Sequence, residues 1–399
     1  MKSNYDILGN HIRLIDTRNR ESITDRVLGI NIDKFFMPSV ANVIGTDLSK
    51  YKLITKGKFA CNPMHVGRDE RLPVALYDEE EPAIVSPAYF MFEVIDNSIL
   101  NEDYLMMWFR RPEFDRICWL HTDGSVRGGI TWDDICRLEL PVPTIEKQLE
   151  IVNSYKAITE RIALKQRIND NLAETIKAIF KSWFLDFNAL DNAELVQSQY
   201  GLIPKGWHYE SLGNLCECVT KGTTPTTLGK DFTKTGINFI KGESINDDHS
   251  FNKSLFAHID NETDELLKRS RICENDIVFT IAGTLGKFAL VDSSVVPANT
   301  NQAVAIIRTS KISPEMLYSY FVGEWQVEFY KRNTQQAVQA NLSLGTIKDL
   351  PILLPDDNGQ IRYMGLIKPI ITEINTNFAE IERLYDLQNQ ILTRLSSRR

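Results

Sequence analysis

Apolar residues recur at intervals of three and four along residues 141–187, near the middle of the chain. The periodic positions are Ile151, Tyr155, Ile158, Ile162, Leu172, Ile176, Ile179 and Trp183. This spacing puts them on one side of an α-helix, and the lack of proline and glycine after Pro143 lets the helix continue unbroken. Some 40 residues make a helix of roughly 60 Å, which is longer than a typical domain and needs a partner.

A second periodic segment lies within residues 356–399. Its apolar positions follow a heptad spacing from Gly365 onward, with Gln388 as one polar member. They are Ile374, Phe378, Ile381, Tyr385, Leu392 and Leu395. Pro369 is expected in or near the first turns, where a helix tolerates proline. The pattern predicts a C-terminal helix over 356–399 that packs against the central helix, 144–187.

The regions before each long helix have a different texture, with short apolar runs broken by proline and glycine. Strands are predicted at 58–61, 73–77, 88–94, 236–240, 276–280 and 303–307, and helices near 103–117 and 314–330. Residues 188–200 are polar and predicted to form a linker. The fold class is therefore α+β, with mixed domains at 1–143 and 201–355 separated by two long antiparallel helices that form a coiled-coil spacer.

The two halves repeat the same order of events: a strand-rich region, a proline-bounded strand and a long helix. Several residues of the first half match residues of the second. The pairs are Leu138 with Leu350, Leu140 with Ile352, Pro143 with Pro355, Gln148 with Gln360, Ile54 with Ile272, Phe59 with Ile277, Ser86 with Thr300 and Ala88 with Gln302. A duplicated unit packs most simply with pseudo-twofold symmetry, so the helices should be antiparallel. The alternative, that each helix belongs to a separate core, stays open.

Composition narrows the class of protein. The chain has 399 residues, 43% apolar and 25% charged, as in a soluble protein of two or three domains. It lacks an apolar run of membrane-spanning length and a secretory signal, and its cysteines form no CxxC pair, so we expect a cytoplasmic protein with reduced thiols. The net charge of −8 argues mildly against nucleic acid, although a local basic cleft can coexist with acidic outer faces.

Motifs for catalysis are missing from the sequence. There is no GxGxxG, GxxxxGK[ST], GxSxG or HExxH, and the histidines do not pair at metal spacing. Residues 62–65 begin like the tetrad of amino-methyltransferases but lack its aromatic residue, which favours a simple turn. We therefore predict no catalytic residue, no metal and no cofactor in this chain.

Polar loops in both halves combine Asn, Gln, Ser and Thr with lysine, arginine and glycine. Amide side chains suit the adenine edge, arginine and lysine suit guanine, and lysine also suits phosphates. The candidate DNA-binding residues are Asn62, Arg68, Ser86, Ser125 and Arg127 in the first half, and Lys221, Thr223, Lys241, Ser244, Thr284, Lys287, Asn301, Gln302, Gln339 and Asn341 in the second. For any one loop, a solvated turn is the simpler reading. Their clustering in both halves favours nucleic acid.

Five stretches resemble the DNA-specificity subunit of type I restriction–modification systems. The family's G-x-IP-x-GW opening of a target recognition domain is similar to 201–207, its strand and glycine loop to 276–287, its NQ to 301–302, its P-x-P helix start to 140–148, and its helix end to 180–187. The first domain departs from the pattern because it lacks the IP-x-GW opening. The second helix start departs too, with 356–360 in place of P-x-x-E-Q.

The resemblance implies a non-catalytic subunit with two target recognition domains, each reading one half of a bipartite target in double-stranded DNA. The helices would act as a ruler between the half-sites. Two methyltransferase subunits would carry S-adenosylmethionine, and restriction subunits would supply ATP- and Mg-dependent translocase and nuclease activity. The main alternative is a coiled-coil scaffold that binds no DNA. A more distant alternative is a stand-alone nuclease or methyltransferase.

Overall fold

The structure is a computed structural model that describes residues 5–40, 45–64, 66–122, 128–190, 193–325, 327 and 343–395. The chain divides into two compact units. The first contains Met1–Ala163 and Glu382–Arg399, and the second contains Leu164–Ile381. Each unit therefore includes part of both long helices, whereas the predicted domain boundaries kept the helices apart from the mixed regions.

The first unit combines two four-stranded sheets with short helices. Its strands are β1 Tyr5–Ile7, β2 Ile12–Leu14, β3 Val27–Ile30, β4 Phe36–Pro38, β5 Lys52–Ile54, β6 Phe59–Cys61, β7 Val74–Leu76, β8 Ala83–Val85, β9 Phe90–Val94 and β10 Glu139–Pro141. Its helices are α1 Val66–Asp69, α2 Glu102–Phe109, α3 Pro112–Leu120, α4 Trp132–Cys136 and the first part of α5 Ile145–Phe180. The sheet orders are β2-β9-β6-β7 and β4-β3-β8-β5, and β1 pairs with β10.

The second unit repeats this plan. Its strands are β11 Leu195–Ser198, β12 Gly201–Pro204, β13 His208–Ser211, β14 Cys216–Lys221, β15 Ile237–Ile240, β16 Ala257–Ile259, β17 Ile277–Thr280, β18 Phe288–Leu290, β19 Ala298–Thr300, β20 Val304–Thr309 and β21 Pro351–Leu354. Its helices are α6 Leu212–Leu215, α7 Asn261–Leu266, α8 Pro314–Val322, α9 Leu344–Lys348 and most of α10 Asp357–Arg394. The sheet orders are β14-β20-β17-β18 and β16-β15-β19, with the pairs β13–β21 and β11–β12.

The repeat predicted from the sequence is visible as shared topology. Strands β2, β9, β6 and β7 take the places of β14, β20, β17 and β18. Each unit also has one parallel pair, β3–β8 in the first and β15–β19 in the second, next to antiparallel partners. The two mixed α+β regions predicted from the sequence are therefore two copies of one fold.

Side-chain contacts that attach each mixed region to its long helix also occur twice. The matching hydrogen bonds run from the Gln148 amide to the Pro143 carbonyl (2.8 Å) and from the Gln360 amide to the Pro355 carbonyl (3.0 Å). The matching ion pairs are Lys156–Asp103 (2.6 Å) and Lys368–Glu315 (3.5 Å). Small polar residues cap the preceding helices as well, Thr131 for α4 and Ser343 for α9. The mixed region and its helix thus form one repeated building block.

Helices α5 and α10 pack antiparallel, as predicted. In the second unit the Asn377 amide donates to Asn169 Oδ1 (2.8 Å), and Lys165 Nζ lies 2.7 Å from Asn377 Oδ1 and 3.0 Å from Glu380. Asn169 also donates to the Ile374 carbonyl (3.4 Å), so partner numbers fall along α10 as they rise along α5. The first unit continues this order with a bond from Gln388 to Thr159 (2.7 Å).

Several local predictions need correction. Helix α10 begins at Asp357, one residue from the predicted start at 356, but Pro369 lies well inside the helix and not in its first turns. Tyr385 was predicted in the apolar seam but is 46% exposed. The predicted 103–117 helix is two helices, because Pro112 cannot continue α2 and instead starts α3.

The predicted linker over 188–200 is partly a strand, since β11 pairs antiparallel with β12. Positive φ angles shape the chain at Gly201 (107°), the first residue of β12, and at Gly206 (89°), two residues after its end. Trp207 follows directly, and its ring lies 5.4 Å from that of Phe184 and 6.5 Å from that of Trp183. Residues 181–185 form a π-helical turn that places these aromatic side chains in the core of the second unit.

Candidate nucleic-acid interface

Polar loops of the second unit meet at one edge, where strands of both sheets begin or end. The Thr300 hydroxyl donates to the Ile240 carbonyl (2.7 Å), the Ile281 amide to the Ala303 carbonyl (2.8 Å), and the Gly222 amide to the Asn301 carbonyl (3.1 Å). These bonds join the segments 221–224, 240–244, 281–287 and 300–303. The eight described candidates of this half therefore come together: Lys221, Thr223, Lys241, Ser244, Thr284, Lys287, Asn301 and Gln302.

Gly222 is required for this convergence. A Cβ atom at this position would lie 1.7 Å from the carbonyl oxygen of Thr300, a backbone atom that cannot move aside cheaply. Only glycine lets the loop after β14 approach the turn before β20 this closely. Gly222 thus allows its loop to lie directly against the backbone of Thr300.

The candidate side chains differ in how far they are exposed to solvent and free to contact DNA. Lys221, Thr284 and Gln302 are exposed. Lys287 lies 2.8 Å from Asp247. Ser244 is instead fully buried, and its hydroxyl donates to the Leu255 carbonyl (3.3 Å). In this conformation the side chain of Ser244 supports its own loop and does not reach the surface.

Lys241 is held by two contacts. Its Nζ lies 3.7 Å from Glu243 and 4.9 Å from the centre of the Phe232 ring. Both lysines with an acidic neighbour, Lys241 and Lys287, can exchange that carboxylate for a phosphate, because exposed ion pairs contribute little to stability. The edge can therefore present positive charge despite the acidic composition of the chain.

A partly buried histidine, His249, lies behind the same edge. The His249 ring stacks on Phe288 at 3.9 Å, and burial lowers the pKa of His249 to about 4. The loop that contains it also supplies Asp247, the partner of Lys287. A neutral imidazole thus forms part of the packing beneath the 281–287 loop.

Asn301 has a local structural role that recurs in the first unit. Its Oδ1 accepts from the Ala303 amide (3.0 Å), and the Ser86 hydroxyl accepts from the Ala88 amide (3.3 Å). Strands β8 and β19 end one residue before these turns. Ser86 therefore corresponds to Asn301 and not to Thr300, its predicted match. The prediction was one residue off because it followed the apolar pattern, whereas the shared turn hydrogen bond fixes the alignment.

The remaining described candidates of the first unit lie on the loop that corresponds to 281–287. The Asn62 amide donates to the Pro73 carbonyl (2.9 Å), as the Thr280 amide does to Lys287 (2.8 Å). Arg68 is exposed on α1 and pairs with Asp69 at 2.6 Å. Strand β6 pairs antiparallel with β9, so its last residue, Cys61, lies opposite Phe90, the first residue of β9. The loop after β6 therefore lies at the end of the sheet where β9 begins, four residues after Ser86 in the chain. Ser125, Arg127, Gln339 and Asn341 lie outside the described residues.

Sequence reasoning overlooked Thr224. Its hydroxyl donates to Oε1 of Gln302 at 2.6 Å, a contact between two loops far apart in the chain. Lys221 and Thr223 of this loop were predicted as candidates, but nothing in the sequence distinguishes Thr224 from its threonine neighbours.

Among the described residues, no helix is both long and apolar enough to cross a membrane.

Comparison with known proteins places this edge in context. Residues 204–383 match the family model described as the type I restriction modification DNA specificity domain. This part of the chain therefore resembles a type I DNA specificity domain. The matched range contains every loop of the edge formed by 221–224, 240–244, 281–287 and 300–303.

Curated relatives extend the similarity beyond the specificity domain. The chain is 23% identical to the HindI specificity subunit of Haemophilus influenzae, over 91% of each protein. It is 22% identical to the MjaIX specificity subunit of Methanocaldococcus jannaschii, over 76% of this chain and 70% of the relative. The resemblance predicted from the sequence is thus confirmed.

A solved structure shares the fold. The S subunit of a type I restriction–modification system from M. genitalium superposes with a TM-score of 0.50 at 14% identity, over 98% of this chain and 95% of the other. The first unit repeats the topology of the specificity domain, although the family model does not extend over it.

Proposed function

We propose that this chain is the sequence-reading subunit of a type I restriction–modification complex. Each unit reads one half of a bipartite target in double-stranded DNA, through the edge that carries the polar loops. The observation that supports this most strongly is the convergence of loops 221–224, 281–287 and 300–303 within a type I DNA specificity domain. The matching turn at Ser86 and loop at 62–73 supply the corresponding edge in the first unit.

The long helices set the separation of the two half-sites in this proposal. Helix α5 has 36 residues, which corresponds to roughly 54 Å at 1.5 Å per residue. Half-sites on one face of DNA recur about every 34–36 Å, so a helix of this length suits a target with an unread spacer.

The chain positions other subunits in this proposal and carries out no chemistry itself. Two methyltransferase subunits supply S-adenosylmethionine and the reaction on adenine, and restriction subunits supply ATP- and Mg-dependent cleavage. Leu149 and Ile361 support a pair of identical partners. They occupy the same position in the two repeats, directly after Gln148 and Gln360, and are 42% and 72% exposed. Exposed apolar residues at matched sites are suited to two copies of one protein surface.

Substitution of exposed loop residues tests the reading of half-sites. Thr284→Ala and Gln302→Ala should weaken binding to duplexes with an intact second half-site and leave the preference at the first half-site unchanged. Binding is measured for the chain with its methyltransferase subunits, across a range of salt concentrations. Equal loss at both half-sites would point to a general phosphate role. A complex without salt-dependent DNA binding would favour the scaffold function instead.

An insertion tests the ruler. Four residues added within α5 should change the spacer length preferred in a methylation assay, because they lengthen the helix by about 6 Å. Thermal unfolding of the purified variant checks that both units still fold. An unchanged spacer preference in a folded variant would exclude the helix as the ruler.

A further inference from the structure

Thr224 stands at a position where its hydroxyl would ordinarily cap a helix. It precedes the short 3-10 turn Pro225–Leu228, and a threonine there usually accepts a bond from a backbone amide of the turn. Thr224 makes no such capping bond. Its hydroxyl donates instead to Oε1 of Gln302, at 2.6 Å.

This contact fixes which end of the Gln302 amide faces outward. Oε1 is engaged by Thr224, and no described residue accepts a hydrogen bond from Nε2. Gln302 is exposed, so its two N–H donors are available to a ligand. An unrestrained glutamine would lose side-chain rotamer freedom on reaching the same orientation. That loss would weaken DNA binding and reduce the discrimination between bases.

The first unit serves as an internal comparison for this pair. The turn role of Asn301 recurs at Ser86, so that role belongs to the shared fold. Gln302 corresponds to Pro87, which has neither an amide side chain nor a backbone donor. The hydroxyl–amide pair is therefore specific to the second unit, as expected of a residue pair that distinguishes one half-site from the other.

We propose that Thr224 is a positioning residue that determines the base preference of the second half-site. It presents the Nε2 donors of Gln302 to an acceptor on a base edge, namely a purine N7, a guanine O6 or a thymine O4. This inference rests on the proposed function, and it adds a residue pair and a class of base-edge atom to it.

The test compares three variants of the full chain, assembled with its methyltransferase subunits. Thr224→Val removes the hydroxyl, Thr224→Ser retains it, and Thr226→Val is a control at a neighbouring exposed threonine. Affinity is measured on a panel of duplexes in which each base pair of the second half-site is replaced in turn. A further duplex carries a 7-deazapurine, which lacks the N7 acceptor, at the position that responds.

We expect Thr224→Val to lose about 10-fold discrimination at one base pair, with preferences at the other positions retained. Thr224→Ser and Thr226→Val should match the wild type. A Thr224→Val profile equal to wild type, or a uniform loss on all duplexes, would overturn the inference while leaving the proposed function in place. A wild-type complex with no base preference at any position would instead refute the proposed function itself, and the inference with it.

Discussion

The buried asparagine pair between the two long helices leads to a quantitative prediction. Asn377 is fully buried and Asn169 is 6% exposed, and the Asn377 amide donates to Asn169 Oδ1 at 2.8 Å. Replacing either asparagine alone with leucine leaves a buried polar group of the other without its partner. Such a group costs about 1–3 kcal/mol. Each single variant should therefore lower the free energy of unfolding of the second unit by about 2 kcal/mol.

The double variant Asn169→Leu/Asn377→Leu should behave differently. Both halves of the hydrogen bond are gone, and the helix pair gains apolar contact. Lys165 loses one acceptor but keeps Glu380 at 3.0 Å. Replacing both partners of a buried polar pair is often nearly neutral. Two single costs of about 2 kcal/mol each against a nearly neutral double variant correspond to a coupling energy of about 4 kcal/mol between the two sites.

Urea unfolding of the wild type, both single variants and the double variant measures this coupling. The comparison is the Thr159–Gln388 bond, in which Gln388 is 8% exposed but Thr159 is open to water. Its cycle, with Thr159→Val and Gln388→Leu, should give a smaller coupling than the asparagine cycle, because water reaches one side of this bond. Strictly additive effects of Asn169→Leu and Asn377→Leu would show that the buried bond does not stabilise this helix pair.

Three further outcomes follow from the packing. Gly222→Ala should lower the melting temperature and weaken DNA binding, because the added Cβ atom meets the Thr300 carbonyl. Gly365→Ala has open space around it in α10 and should raise the free energy of unfolding, measured in urea, by about 0.5–1 kcal/mol. Gln148→Leu should destabilise more than Gln360→Leu in urea unfolding, because Gln148 makes three hydrogen bonds and its counterpart one. His249 has a folded pKa of about 4 against 6.5 unfolded, so stability should fall as the pH drops from about 6.5 toward 4, and His249→Asn should flatten this part of the stability profile.

Periodicity and turn residues predicted much of the fold. Predicted strands at 58–61, 276–280 and 303–307 correspond to β6, β17 and β20, and the antiparallel helix pair follows from two apolar stripes. Such features depend on local alternation and helical spacing, which a single sequence displays directly.

Features that depend on distant contacts were less predictable. The interior position of Pro369 was not predicted, because a proline more often marks the beginning of a helix. It lies inside α10, four residues after Gly365. The apolar pattern did not predict the burial of Asn377, because it assigned the neighbouring Phe378 to the seam between the helices. The inward side chain of Ser244 and the contact of Thr224 with Gln302 depend on loop conformations and cross-loop distances that residue types alone do not specify.

A pair of opposite charges shows what the repeat preserves and what it leaves free. Lys58 forms an ion pair with Glu93 in the first unit, and Asp276 forms one with Arg308 (2.8 Å) at the matching position in the second. The signs are reversed, so the fold demands compensation between neighbouring strands but not a particular residue. Identity between repeats, or with relatives at 23%, therefore understates shared structure. By the same reasoning, a polar pair that occurs in only one repeat and is not needed by the fold, such as Thr224 with Gln302, marks where the two recognition edges differ in function.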